Sequence, residues 1–360
     1  MANVGAAEWK NLSLPERAVR SLTPDHGQGA RPSVNPRAGL PPYPSGWYAM
    51  CFSAQLPRAS LRVHPFMGRE VLLFRTRSGA VCASDPYCPH LGAHFGYGGT
   101  VDGERLRCPF HGFRYDTQGI CVATGYGTEP PPTARIRTWP VREVNSMLIV
   151  YHDQKDAAPE WEIPALDSAG WSAPVYRRFE LAAHPQSTTE NSVDLGHFAF
   201  VHGYSSVRML RDVEISGSYL STAYAAQRPV PLLGRWWHFD IEFETHIHGL
   251  GYSQVDVLVR GFDIRARLWV LPTPIDTRRT ALHLAASGDG CSGETHPWLR
   301  AIPRRLRGAL IAHGLLAGLV YDARQDFAIW EHGRHVHPPA LAQGDGPIGK
   351  YRAWATSFYA

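Results

Sequence analysis

Two short motifs in the first half of the chain place cysteine and histidine at spacings that suit a shared metal centre. Cys88 and His90 are followed, after 17 intervening residues, by Cys108 and His111. Each motif offers one thiolate and one imidazole, and an Asp-Gly turn at 102–103 would bring the two loops together. A mixed [2Fe–2S] cluster takes two thiolates on one iron and two imidazoles on the other. The sequence therefore predicts that these four residues hold such a cluster.

The alternative for the same residues is a structural zinc site with two cysteines and two histidines. Zinc motifs usually pair their cysteines within a few residues, whereas each loop here pairs a cysteine with a histidine. The mixed pairing favours the Rieske-type cluster. The other four cysteines lack such partners, so we expect them to be core thiols. They are Cys51, Cys82, Cys121 and Cys291.

A second group of candidate ligands lies near the middle of the chain. His197 and His202 are five residues apart, and Asp194 precedes them. Two imidazoles and one carboxylate on one face of Fe(II) leave open positions for O₂ and substrate. Residues at i and i+5 lie about 140° apart on an ideal helix, so both imidazoles reach one iron only if the helix loosens or ends between them. Taken alone, two histidines near a helix end are more often capping or core residues than ligands.

The segments 88–94 and 108–113 resemble the Rieske domain of the Rieske non-haem iron oxygenases, and the resemblance extends from about residue 46 to the C-terminus. It implies that His197 and His202 bind a mononuclear Fe(II), which activates O₂ to oxidise a C–H bond. No flavin or nicotinamide motif is visible in the sequence. We therefore expect electrons from NAD(P)H to arrive through a separate reductase or ferredoxin.

The third iron ligand is assigned by the same resemblance. Residues 325–331 resemble the segment of the family that supplies a carboxylate, which implies Asp326 as the ligand. Asp322 and Glu331 are the competing carboxylates. An ordinary solvated helix carboxylate is the other interpretation of Asp326.

Asp194 receives a separate role from the resemblance. In the family the matching aspartate hydrogen-bonds an iron-binding histidine and, across a subunit boundary, a histidine of the Rieske cluster. This implies a link from His197 or His202 to His111 of a neighbouring chain, and a head-to-tail contact of that kind closes into a homotrimer. The alternative is a carboxylate that simply interacts favourably with a helix N-terminus.

Segments 131–144, 161–164 and 345–359 are similar to one branch of the family, which contains the 3-ketosteroid 9α-hydroxylases and the cholesterol 7-desaturases. The similarity implies a hydrophobic, polycyclic, steroid-like substrate. Desaturation or oxidative cyclisation of a non-steroid natural product is the alternative outcome at the same iron. A Rieske electron carrier without oxygenase activity is the alternative from another class.

The elements that must position these residues suggest an α+β protein. We predict an irregular leader over 1–45, an all-β Rieske domain over 46–152 and an α+β catalytic domain over 153–360, whose central antiparallel sheet is packed against a helix in a helix-grip-like way. In the catalytic domain we predict a helix over 187–201, strands over 236–247, 253–259 and 264–271, and a long helix over 297–331. His246 and His248 alternate along a strand and are expected at the surface.

Composition and charge argue against nucleic-acid binding and against a membrane-spanning segment. The net charge of +4 is too small to indicate nucleic-acid binding, and no apolar run is long enough to cross a bilayer. The N-terminus lacks the features of a signal peptide, so we expect a cytoplasmic protein. A cluster of arginines is expected on a solvated helix face, with a docking patch for an acidic ferredoxin as the alternative. These are Arg300, Arg304, Arg305 and Arg307.

Overall fold

The computed structural model describes residues 39–232 and 234–359. Most of the predicted leader, residues 1–38, lies outside the described part, and residues 39–45 form neither helix nor strand. None of the helices in the described residues combines the length and the apolar character that a bilayer-spanning segment needs.

The first half of the described chain is built from β-hairpins. Three antiparallel sheets have the strand orders β1-β11-β10, β2-β3-β4-β9 and β5-β6-β7-β8. The turn at 102–103 joins β5 to β6 as predicted, with Asp102 paired to Arg105. The strands are β1 (Gly46–Phe52), β2 (Ser60–Phe66), β3 (Arg69–Arg75), β4 (Val81–Ser84), β5 (Thr100–Asp102), β6 (Arg105–Arg107), β7 (Arg114–Tyr115), β8 (Cys121–Ala123), β9 (Thr138–Trp139), β10 (Val141–Val144) and β11 (Met147–His152).

The second half contains one antiparallel sheet of seven strands, in the order β12-β18-β17-β16-β15-β14-β13. Its strands are β12 (Val175–Leu181), β13 (Ser205–Ser216), β14 (Tyr219–Leu232), β15 (Arg235–His248), β16 (Tyr252–Val259), β17 (Ile264–Pro274) and β18 (Thr280–Gly288). Its helices are α1 (Pro185–Glu190), α2 (Leu195–Phe200), α3 (Pro297–Arg300), α4 (Arg304–His332) and α5 (Ile348–Ala355). The predicted fold class is confirmed.

The strand β1 contributes side chains to two separate apolar clusters. Every residue of β1 is buried, so its two faces pack against different partners. Tyr48 lies with Leu148 in the core of the hairpin half, whereas Trp47 and Ile149 lie with Trp269 of β17. Apolar residues on both faces explain why this strand lacks the polar alternation of a half-exposed strand.

The helix α4 packs across the sheet and approaches β18 closely at a pair of glycines, Gly288 and Gly308. It packs on β12, β17 and β18 through an apolar cluster that includes Leu284 and Leu316. A Cβ on Gly308 would lie 2.9 Å from the carbonyl oxygen of Gly288, which is closer than real Cβ atoms come to backbone oxygen. Glycine at both positions therefore sets how closely the N-terminal part of α4 lies on β18.

We expect Gly308→Ala to lower the free energy of unfolding by about 1–3 kcal/mol, because the added Cβ overpacks the contact with β18. Gly314→Ala is the matched control on the same helix, since a Cβ there would meet no atom within 4 Å. Alanine has the higher helix propensity by about 1 kcal/mol, so the control should be neutral or stabilised. Chemical denaturation measures both variants, and equal stabilisation of the two would contradict the close packing.

Several expectations about the catalytic half need correction. The segments predicted as single helices over 187–201 and 297–331 are each divided in two, because Asp194 caps a new helix and Pro303 precedes α4. Arg307 is buried and donates to the carbonyls of Ser292 and Ile302, so it does not share a solvated face with the other three arginines.

Two further predictions of burial are wrong, one for a residue expected in the core and one for a pair expected at the surface. Cys291 is exposed, whereas the other three cysteines expected in the core are buried as predicted. His246 and His248 are half-buried on β15, since His246 lies beside Glu244 and Asp256. The predicted strands over 236–247, 253–259 and 264–271 lie inside β15, β16 and β17.

Candidate metal centres

The two cysteine loops of the hairpin half have the same local geometry. The N–H of Cys88 donates to the carbonyl of Ala93 at 2.8 Å, and the N–H of Cys108 donates to the carbonyl of Phe113 at 2.8 Å. The residue before each acceptor is a glycine with positive φ, +76° at position 92 and +68° at position 112. Each loop is thus a closed turn that requires glycine, and in both turns the acceptor lies five positions after the cysteine.

The side chains of the four predicted cluster ligands lie together at the tips of these loops. The rings of His90 and His111 are 4.8 Å apart between centroids, and His90 stacks on Phe113. Both cysteines are buried in the apolar cluster beneath, where Tyr115 Oη lies 3.0 Å from the sulfur of Cys88. The structure therefore brings together all four residues that the sequence singled out.

Two observations test whether these residues suit an iron–sulfur cluster. Nδ1 of His111 is buried and has no hydrogen-bond partner among the described residues, which is costly unless the nitrogen has a ligand. Burial raises the pKa of the Cys108 thiol, while backbone N–H groups of Phe110 and His111 directed at its sulfur oppose this shift. Amides directed at sulfur stabilise a thiolate ligand. The residues fit the group.

The second centre depends on how α2 begins and ends. The carboxylate of Asp194 accepts from the N–H of His197 at 3.1 Å and so caps the helix. The helix ends at Phe200, and Gly203 follows with a φ of +69°. Because the chain leaves the helix before His202, the ring centroids of His197 and His202 are only 4.9 Å apart. Both imidazoles can therefore face one metal ion, although residues five positions apart on a continuous helix would point about 140° away from each other.

Asp326 completes the group from α4. One ligand atom from each of His197, His202 and Asp326 lies within 4.8 Å of the other two, so the three residues could hold a single metal ion. Their side chains are 10%, 5% and 6% exposed. Two imidazoles and a carboxylate are the donor set of mononuclear Fe(II) oxygenases.

The competing carboxylates are engaged elsewhere. Asp322 accepts hydrogen bonds from Tyr204 at 2.9 Å and from Arg228 at 2.9 Å. Glu331 accepts from the N–H of Ala182 at 3.4 Å. Neither belongs to the group of three described above.

Both imidazoles are oriented by hydrogen bonds on the nitrogen that faces away from the metal position. Nδ1 of His197 donates to the backbone carbonyl of Asp194 at 2.6 Å, and Nδ1 of His202 donates to Oε1 of Gln325 at 3.0 Å. These bonds place the proton on Nδ1 and leave Nε2 free to bind a metal. Gln325 was missed in the sequence, where its only signal was its position next to Asp326.

The carboxylate of Asp194 has no close contact with an imidazole among the described residues of its own chain. Its Oδ1 lies 3.9 Å from Nδ1 of His197, because the backbone carbonyl of the same residue takes that proton. Burial raises its pKa, and Asp345 nearby raises it further. Within one chain, the side chain therefore acts as a helix cap.

Burial also sets the protonation of the metal-free ligands. It raises the pKa of Asp326 to about 7, with a further contribution from Asp322. It lowers the pKa of His197 to about 4, and the nearby His202 lowers it as well. The imidazole of His197 is thus held neutral, as metal binding requires, and a cation would offset the cost of ionising Asp326.

We expect Gln325→Leu to weaken iron binding at this centre by about 10–100-fold, because His202 would lose the bond that fixes its tautomer. Gln325→Glu keeps an acceptor at the same place and serves as the control. Iron titration of the metal-depleted protein, followed by tryptophan fluorescence, measures both affinities. Unchanged affinity in the leucine variant would contradict the orienting role.

A cavity of about 430 Å³ opens directly onto the three ligands, within the size range of ligand pockets. It lies between the face of the seven-stranded sheet and α4, and its walls are mainly apolar. Its apolar lining comprises Phe198, Val230, Phe239, Ile241, Phe243, Val255, Val257, Val259, Ile264, Leu268, Val270, Ile311, Leu315, Leu319, Ala323 and Trp330.

Comparison with known proteins agrees with both centres. The Rieske [2Fe-2S] domain profile matches residues 46–140, and the profile of the 3-ketosteroid 9alpha-hydroxylase C-terminal domain matches residues 150–359, more than half of the chain. The chain belongs to the Rieske non-haem iron oxygenases. This membership resolves the choice between a zinc site and a Rieske cluster, and it makes the chain an enzyme and not an electron carrier.

The relatives of this oxygenase include both reaction types of the branch. This chain is 30% identical over 353 residues to the cholesterol 7-desaturase of Bombyx mori, and the alignment covers 93% of this chain and 75% of that protein. It is 25% identical over 348 residues to a probable 3-ketosteroid-9-alpha-monooxygenase, oxygenase component, of Rhodococcus rhodochrous, with 89% and 82% covered.

Solved structures share the fold at lower identity. Dicamba monooxygenase bound to dicamba has a TM-score of 0.60 at 17% identity, and 87% of this chain and 96% of that chain are covered. NdmA of Pseudomonas putida CBB5 with caffeine has a TM-score of 0.64 at 19% identity, with 86% and 89% covered.

Proposed function

We propose that this oxygenase oxidises a C–H bond of a hydrophobic, polycyclic, steroid-like substrate. The observation that carries the proposal is the apolar cavity that opens onto His197, His202 and Asp326. Its relatives act, by name, on cholesterol and 3-ketosteroids, which agrees with an apolar lining. A substrate that is polar over most of its surface would lose its hydration along the apolar walls without replacement hydrogen bonds.

The ligand assignments belong to the same proposal. Cys88, His90, Cys108 and His111 hold the Rieske cluster within a domain spanning 46–152, and electrons from NAD(P)H reach it through a separate ferredoxin or reductase. His197, His202 and Asp326 hold Fe(II) in the domain spanning 153–360. When bound there, Fe(II) supplies O₂ activation.

The protein's own residues prepare this centre. The carbonyl of Asp194 and the amide of Gln325 hold the two imidazoles in the correct tautomer. The cavity walls exclude water and hold the substrate against the ligands. The orientation of the substrate in the cavity then decides between hydroxylation, desaturation and cyclisation.

We further propose that Asp194 connects the two centres across a subunit boundary in a homotrimer. Among the described residues, no hydrogen bond or ring contact joins the Rieske ligands to the iron ligands of the same chain. Exposed apolar side chains surround both centres, since Tyr97 and Phe110 near the cluster are 82% and 62% exposed and Phe200 near the iron ligands is 94% exposed. Exposed apolar surface of this kind favours contact with another chain. A trimer would place the tip of one chain on α2 of the next, and we assign it to the cytoplasm.

Product analysis tests the proposal. The purified protein should contain about three iron atoms per chain, counting both centres. With NADH, a surrogate reductase and ¹⁸O₂, a panel of steroids and other polycyclic compounds should yield a hydroxylated, desaturated or cyclised product detectable by mass spectrometry. Consumption of NADH without product from any steroid would contradict the substrate class.

A further inference from the structure

One part of the cavity wall is charged although the rest is apolar. Arg228 of β14 and Asp322 of α4 form an ion pair at 2.9 Å, and their side chains are only 17% and 15% exposed. The hydroxyl of Tyr204 joins them, since it donates to Asp322 at 2.9 Å and accepts from Nε of Arg228 at 2.9 Å. All three residues line the cavity. We call Tyr204, Arg228 and Asp322 the polar clamp.

The clamp does not use all of its hydrogen-bonding groups. Arg228 donates from Nε and Nη2 to Tyr204, Asp322 and the carbonyl of Gly318. Its Nη1 donates to no partner in the part of the chain that the structure describes, and Tyr204 and Arg228 both bond the same carboxylate oxygen of Asp322, Oδ2. Nη1 of Arg228 and Oδ1 of Asp322 are therefore a donor and an acceptor without a partner among the described residues, and both residues line the cavity.

A glycine of α4 leaves the space that the guanidinium of Arg228 occupies. A Cβ on Gly318 would lie 2.8 Å from Nη1 and from Nη2 of Arg228. Glycine inside a helix costs about 1 kcal/mol relative to alanine. A buried ion pair also tends to be no more stable than an apolar replacement. Neither the glycine at position 318 nor the ion pair of Arg228 with Asp322 is favoured by the stability of the fold alone. Binding of a ligand is the better explanation of both.

The charges select the kind of ligand group. Arg228 and Asp322 cancel each other, so the clamp has no net charge. A carboxylate on the substrate would face Asp322 and Asp326, and an ammonium group would face Arg228. A neutral oxygen is compatible with both partners, since a carbonyl accepts from Nη1 and a hydroxyl also donates to the carboxylate.

We propose that the polar clamp binds a neutral oxygen substituent, a carbonyl or a hydroxyl, at one position of an otherwise apolar polycyclic substrate. The inference rests on the proposed substrate class. It adds the place in the cavity at which an oxygen substituent of that substrate is bound. Arg228 is then a positioning residue: the clamp holds the oxygen while the apolar walls hold the rings. Because Asp322 and Asp326 are four residues apart on α4, the anchored end lies about 6 Å along the helix from the metal ligand.

A matched pair of ligands tests the clamp. The probes are a steroid ketone and the same skeleton without oxygen, and the readout is the dissociation constant of each for the metal-loaded protein, measured by quenching of tryptophan fluorescence. We expect the wild type to bind the ketone about 10–100-fold more tightly, as for one hydrogen bond to a charged donor. In the double variant Arg228→Met and Asp322→Asn, the ratio of the two dissociation constants should fall to about one. The skeleton without oxygen should still bind.

A second buried ion pair provides the control. Arg352 and Glu190 form a pair at 2.7 Å with side chains 18% and 17% exposed, and neither lines the cavity. Arg352→Met combined with Glu190→Gln should keep the wild-type ratio. If the clamp double variant does not fold, Arg228→Lys is used, which keeps the charge but removes Nη1.

The outcomes separate the two proposals. Equal binding of both probes by the wild type, or a ratio that survives both clamp variants, overturns the clamp and leaves the proposed function intact. Failure of the wild type to bind either probe overturns the steroid-like substrate class and the clamp with it.

Discussion

Asp326→Ala is expected to remove the mononuclear iron and abolish substrate oxidation, while the visible spectrum of the Rieske cluster is retained. Asp326 is the only carboxylate in the group of three candidate ligands formed by the described residues. Two neutral imidazoles without a carboxylate hold Fe(II) weakly, because the ion prefers a mixed nitrogen and oxygen donor set. Iron analysis should show a loss of about one iron atom per chain out of about three.

The control is a second carboxylate of the same helix. Glu331→Gln should leave both iron centres in place, since Glu331 bonds the backbone of Ala182 at 3.4 Å and does not approach the histidines. Unchanged iron content in Asp326→Ala would show that the third ligand has been assigned to the wrong residue. Retained iron with lost turnover would instead indicate that Asp326 acts on the substrate.

Asp194→Asn is expected to retain both metal centres and to lower coupled turnover by about 10–100-fold. The structure makes this substitution informative, because asparagine is as good a helix cap as aspartate. His197 is held by the backbone carbonyl of residue 194, which the substitution does not change. Only the negative charge proposed to connect the two centres is removed. Product formed per NADH oxidised is the measurement.

Asp345→Asn controls for a general electrostatic effect. Asp345 lies close enough to raise the pKa of Asp194, yet its carboxylate accepts from the N–H of Ala342 and bonds no imidazole in the described part of the chain. We expect nearly normal turnover in this variant. Normal coupled turnover in Asp194→Asn would exclude the bridge, and equal losses in the two variants would attribute the effect to local charge.

The parts of the centres that were predictable from sequence are those formed by short stretches of chain. The four residues proposed to hold the Rieske cluster lie in two closed turns, so their types and spacing are almost sufficient to place them. The spacing of His197 and His202 correctly required the helix to end between them, which it does at Phe200.

Residues paired over long distances were not predictable in this way. His202 and Gln325 are 123 residues apart, and the ion pair of Arg228 with Asp322 spans 94 residues. Each partner alone resembles an ordinary polar residue on a helix or strand. Only the packing of α4 on the sheet brings them together.

The wrong assignments have the same cause. Arg307 belongs to a run of arginines, but the rotation of α4 turns it inward to the carbonyls of Ser292 and Ile302. Cys291 follows the last strand of the sheet in a turn that leaves it exposed. Burial at a single position depends on the orientation of the whole element, which local composition does not determine.

The single helix α4 carries both a wall of the cavity and Asp326, the proposed metal ligand, so substrate range and metal chemistry can be changed separately. Ile311, Leu315 and Leu319 are spaced by four residues and line the cavity, whereas Asp326 lies nearly two turns beyond them. The backbone hydrogen bonds of the helix keep that carboxylate in register whichever side chains stand at the three positions. Exchange of these side chains therefore offers evolution, or an enzyme engineer, a route to new substrates that leaves the iron ligands unaltered.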